Sequence, residues 1–153
     1  MIQRVQTIYL LLALAFGVSM FFAPQITFVA ETLYVLNFKG INAIEAAENS
    51  KSISTVALTI LLALTPLVSL TTLFLYKKRL LQLRLCGANI GLLIGTTALI
   101  YYFGTVGTKE LPAIELSYHL STVFPIVGAI LNFLALRAIA KDEALVRSMD
   151  RIR

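Results

Sequence analysis

Apolar residues gather in four long runs, at about 7–22, 53–76, 85–103 and 119–140, with polar and turn residues concentrated between them. Each run is of the length that carries a helix across the hydrocarbon core of a bilayer. The pattern therefore predicts an all-α integral membrane fold: four transmembrane helices forming one domain over residues 1–153, with outer loops at 24–52 and 104–117 and a tail at 141–153. The first run follows a short basic start, Met1-Ile2-Gln3-Arg4, and leads into Phe21-Phe22-Ala23-Pro24 rather than a small-residue cleavage site, so it reads as a retained helix.

The connections carry their own pattern. Ile26 to Phe38 is rich in Thr, Val, Tyr and Phe with partial alternation, and turn residues surround Gly40 between Asn37 and Asn42, which predicts a small β-hairpin. Ala43 to Asn49 reads as a short helix or helical turn leading into the second span. Ile114 to Tyr118 supplies one more strand to lie beside that hairpin. Lys77 to Arg84 is too charged for lipid and reads as a tight helical hairpin. Within the second span Pro66 removes a backbone donor, and Thr65 and Ser69 are placed to satisfy the freed carbonyl. Tyr101-Tyr102-Phe103 closes the third run as an aromatic girdle. The tail from Lys141 to Arg153 reads as a short amphipathic helix, with Leu145, Met149 and Ile152 on one stripe.

Composition agrees. The chain is 58% hydrophobic and 14% charged, with a mean hydropathy of +0.85, against about 25% charged residues in soluble domains. Charge then orients the helices. Alternating the spans places ten of the 13 basic residues with the termini and the Lys77–Arg84 turn, and only Lys39, Lys51 and Lys109 on the other side. Basic residues near span ends mark the cytoplasmic face, so both termini are expected inside and the strand-bearing loops outside. The net charge of +5 thus describes one membrane face, and no nucleic-acid partner is expected.

Candidate chemistry is sparse. Gly87, Gly91 and Gly95 recur every four residues on one helix face, where small residues let two helices approach, either within the chain or against another subunit. Asn89 and Asn132 lie roughly 7 Å and 12 Å inside their spans, placed to hydrogen-bond across the third and fourth helices or to mark a polar spot on a substrate path. No ionisable residue lies deep in a span, which weighs against a proton-coupled pump. Arg137, one turn from the inner surface, is expected to snorkel to the headgroups. Cys86 is the sole cysteine and reads as a buried filler. His119 and Ser121 face different directions on a helix, so they make a poor base and nucleophile. No catalytic, cofactor-binding or metal residue is expected. Lys77, Lys78, Arg79, Arg84, Arg147, Arg151 and Arg153 form a basic surface suited to an anionic inner leaflet or to a protein partner.

The opening Met1-Ile2-Gln3-Arg4-Val5-Gln6-Thr7-Ile8-Tyr9 and the ending Lys141-Asp142-Glu143-Ala144-Leu145-Val146-Arg147-Ser148-Met149-Asp150-Arg151-Ile152-Arg153 resemble those of a Bacteroidota membrane family, domain of unknown function 4293. The resemblance spans essentially the whole chain. It implies a multi-pass protein of the bacterial inner membrane and brings no activity, substrate or cofactor. A large first outer loop with strands is also claudin-like, by architectural analogy alone. The functional expectation is a non-enzymatic accessory or scaffold subunit of a larger inner-membrane assembly, with a membrane-protein partner or a second copy. The alternatives are a small oligomeric transporter or channel, and a lipid-handling membrane enzyme using His119.

Overall fold

The computed structural model describes residues 3–30, 32–44, 53–76, 78–111 and 115–150. The four apolar runs are four long helices: α1 (Gln3–Phe22), α2 (Val56–Phe74), α3 (Arg79–Glu110) and α4 (Phe124–Asp150). All four are long and apolar enough to cross a membrane. Each carries large apolar side chains on its outer face as well as its inner one, among them Ile8, Leu11, Ile60, Leu67, Ile94, Ile130 and Phe133. Consecutive helices pack side by side, and α4 closes the bundle against α1. One end of the bundle bears the charged turn between α2 and α3; a β-sheet covers the other.

The sheet has four antiparallel strands: β1 (Ile26–Val29), β2 (Leu33–Asn37), β3 (Gly40–Ala43) and β4 (Glu115–Tyr118), in the order β3-β2-β1-β4. The turn expected around Gly40 joins β2 to β3, and the stretch expected to be strand, Ile26 to Phe38, holds two strands, β1 and β2, which pair in a register that sets Phe28 opposite Tyr34. The expected extra strand is β4, which sets Leu116 opposite Phe28 and so joins the two connections into one sheet. Ile26, Phe28, Leu36 and Ile41 point to one face and are fully buried on Met20, Leu58, Leu62 and Ile100 at the helix ends. An alternating strand buries one face only, which is why β1 and β2 each keep a second, less buried set of side chains.

The structure corrects several boundaries. The turn around Gly40 is tighter than expected: Phe38 and Lys39 turn, and Gly40 already belongs to β3. Gly40 has φ +115°, and a Cβ there would stand 2.6 Å from the Ile53 carbonyl, so only glycine fits. Ala43 ends β3 instead of starting a helix, and residues 45–49 of that expectation lie outside the described residues. Arg79 to Arg84 is helical, so the turn between α2 and α3 is shorter than the charge pattern implied. At its other end α3 runs seven residues past Phe103, through what read as the second outer loop, and stops where Leu111, which precedes Pro112, turns extended. The C-terminal tail is no separate helix: α4 continues without a break to Asp150.

The α3 extension explains how the sheet is seated. Gly104 and Gly107 face the sheet's buried side; a Cβ on Gly107 would stand 2.5 Å from the Phe28 ring, and one on Gly104 would stand 3.2 Å from Ile26 and from the Tyr118 hydroxyl. A loop could not present two glycines one turn apart to the same sheet. Gln25, fully buried, ties the remaining pieces together: its side-chain amide donates to the Met20 and Ala23 carbonyls at the end of α1, and its own carbonyl accepts from the His119 amide and the Thr122 hydroxyl.

Candidate functional site

Three groups of side chains invite a functional reading: a polar layer in mid-bundle, the basic end, and the open face of α3.

The polar layer is built from α2, α3 and α4. The Asn89 amide donates to the Ser69 hydroxyl at 2.8 Å and to the Asn132 side-chain carbonyl at 3.2 Å, and Asn132 donates to the Gly128 carbonyl at 2.8 Å. Asn89 and Asn132 are both about 1% exposed. The structure thus joins the two asparagines across α3 and α4, and adds Ser69. Thr65 reaches the Leu62 carbonyl freed by Pro66, at 3.5 Å, whereas Ser69 serves Asn89 instead. Thr72, Thr96 and Thr97 each bond back to a carbonyl one turn earlier. The layer is chemically a set of interhelical ties; the Asn89 Oδ1 is the one atom in it left without a partner.

At the basic end, Lys78 and Arg84 are exposed, and Arg79, the first residue of α3, is half-buried. The Arg79 Nη1 is shielded from solvent and has no hydrogen-bond partner. Gln82, buried one turn on, donates to the Thr72 carbonyl at 3.2 Å and so fixes α3 to the end of α2. Asp142 and Gln6, neither of which the sequence singled out, are both buried, and the Gln6 amide donates to the Asp142 carboxylate, fastening the α4 extension to the start of α1. Their spacing of 136 residues left no local signal. Lys77, Arg151 and Arg153 lie outside the described residues, as does the side chain of Arg147; of the tail's apolar stripe, Leu145 is described and is exposed.

The glycine face of α3 is turned away from its neighbours. Gly87 and Gly91 are exposed, a Cβ on Gly91 would meet nothing within 4 Å, and a Cβ on Gly95 would make only ordinary contact with Leu61. Close approach inside the chain happens elsewhere: a Cβ on Gly17 of α1 would stand 3.4 Å from Pro66 of α2, and one on Gly128 would stand 3.5 Å from Leu93. Cys86 is fully buried beside Leu10, Ala135 and Ile139.

His119 stands at the sheet end, between β4 and a 3-10 turn (Leu120–Val123), with its Nε2 2.7 Å from the Thr27 hydroxyl. The Ser121 hydroxyl donates to the Pro24 carbonyl, away from His119. The two are thus committed to separate structural bonds. Among the described residues, no three His, Cys, Asp or Glu side chains cluster as a metal site would require.

Comparison with known proteins places the chain in a family and adds no chemistry. The family model described as domain of unknown function (DUF4293) matches residues 2–152. No curated protein matches the chain.

Proposed function

We propose that this chain, which belongs to the DUF4293 family, is a non-enzymatic multi-pass protein of the bacterial inner membrane that serves as an accessory or scaffold subunit. Its helices lie in lipid, its sheet faces outward, and both termini face the cytoplasm. Apolar side chains all round each helix support the first statement, because a water-facing bundle would be polar on that surface. The arginines and lysines gathered at the turn end support the orientation. With Tyr101 and Tyr102, both exposed, at the outer interface, the sheet rests on the last turns of α3 from Ile100 to Gly107.

The observation that carries the scaffold reading is the joining of both outer connections into one four-stranded sheet seated on α3. It makes a rigid surface rather than two separate loops. The open Gly87–Gly91 face offers a place for a partner helix within the membrane. Both features present surfaces, while Ser69, Asn89 and Asn132 tie the helices to one another.

Gentle extraction in several mild detergents followed by native mass measurement tests this. The expected result is a second copy or a co-purifying membrane protein. A strictly monomeric species in every detergent counts against the scaffold role. Reporter tags at the two termini test the orientation, which fails if they report opposite compartments.

A further inference from the structure

At the basic end a cavity of about 130 Å³ opens between α1, α2 and α3. Gln6, Thr7 and Leu10 of α1, Tyr76 after α2, and Arg79 and Gln82 of α3 line it. The grooves beside Pro66 and Pro125 are walled almost wholly by apolar side chains, whereas this cavity and a neighbouring groove lined by Lys78, Arg79, Arg84 and Glu143 are polar. Arg79 carries a fixed positive charge, it is half-buried, and its Nη1 has neither solvent nor a partner. A shielded N–H donor left without an acceptor is unfavourable, so an anion's oxygen beside the Arg79 Nη1 is favoured. Neither Asp142, which is buried and held by Gln6, nor Glu143, which shares a neighbouring groove with Arg79, lines the cavity. Gln6 and Gln82 each use one amide contact for a structural bond, and a side-chain amide has two N–H groups to give.

We propose that this cavity binds a phosphate group, with Arg79 as its cation and the Gln6 and Gln82 amides beside it. A planar guanidinium offers paired donors to phosphate oxygens, which a lysine does not. Basic pockets between membrane helices at the cytoplasmic surface take lipid headgroups by the same chemistry. The phosphate therefore belongs either to an anionic lipid or to a free phosphate compound. The site stands apart from the scaffold reading, since a monomer that binds phosphate and an assembly that does not are both measurable outcomes.

The full-length chain in detergent, titrated with inorganic phosphate and followed by its melting midpoint, tests the free source. The same chain in nanodiscs of phosphatidylcholine, with or without phosphatidylglycerol, followed by native mass spectrometry of retained lipid, tests the lipid source. One of the two probes is expected to bind. Arg79→Gln is expected to weaken that binding about tenfold or more, while Arg84→Gln, exposed nearby, changes it less than about twofold. Thr7→Phe narrows the cavity and keeps every charge; it is expected to weaken binding as well, and it decides the matter if the Arg79 variant does not fold. Binding of neither probe overturns the proposal. So does equal weakening by Arg79→Gln and Arg84→Gln, which marks diffuse surface charge, or unchanged binding in Thr7→Phe.

Discussion

The two ends of this bundle are held by different physics. At the sheet end the core is large and apolar: Ile26, Phe28, Leu36 and Ile41 from the strands close over Met20, Leu58, Leu62 and Ile100. At the basic end the buried apolar group is small, Leu10, Cys86, Ala135 and Ile139, and Gln6, Ser69, Thr72, Gln82, Asn89, Asn132 and Asp142 are buried around and above it. The sheet, on the proposed orientation, meets water, so covering its apolar face gains the full hydrophobic effect. Between helices in lipid there is no such gain, and small residues, dispersion and interhelical hydrogen bonds take over. The contrast teaches that burial means different things along one chain: a strong driving force under the sheet, and specificity of helix position below it.

If that is right, the largest loss comes from emptying the sheet-end core. Phe28→Ala is expected to cost about 3–5 kcal/mol, read as a fall in unfolding free energy in detergent, with the sheet's slow-exchanging amides lost first. An equal effect from a core substitution at Leu10 would break the comparison. Gly107→Ala is next: its Cβ would press on the fully buried Phe28 ring at 2.5 Å, an overpacking worth about 1–3 kcal/mol, and Phe28→Leu is expected to relieve it. Asn89→Leu removes both cross-helix bonds yet is expected to cost only about 1 kcal/mol, since such bonds average less than that in membrane proteins and the Asn89 Oδ1 has no partner to lose. A loss several times greater would show that the polar layer, rather than the sheet, dominates stability. Gly91→Ala is the smallest, within about 0.5 kcal/mol of wild type, because nothing stands within 4 Å of the new methyl. A larger side chain at the same position separates monomer from assembly: Gly91→Leu is expected to leave the melting midpoint in place while abolishing any co-purifying partner that packs on that face.

The polar residues show how far local pattern reaches. Asn89 and Asn132 were legible because an asparagine deep in an apolar run must find a partner, and two on consecutive spans at similar depth suggested each other; the partner Ser69 was read instead as a local companion of Pro66. Gly87, Gly91 and Gly95 carried the familiar four-residue spacing, yet their face is open, while Gly104 and Gly107, which sat in an apparent loop, make the close approaches. The spacing marks a face without saying what covers it. Gln6 and Asp142 gave no sign at all, since each lies near a polar terminus where glutamine and aspartate are ordinary.

From the sequence alone came the number of long apolar helices, strand character in Ile26–Phe38 and Ile114–Tyr118, and the separation of charge between the two ends. Each is a one-dimensional property: run length against bilayer thickness, alternation along a strand, and counts of lysine and arginine. Tertiary structure decided which connection residues became helix, that β4 pairs with β1 and so fuses two distant segments, and that Arg79 opens α3 beside a cavity instead of lying in an exposed turn. The reason is that those outcomes depend on partners far away in sequence. Gly104 and Gly107, within α3, lie against Ile26 and Phe28, which are more than 75 residues away in sequence.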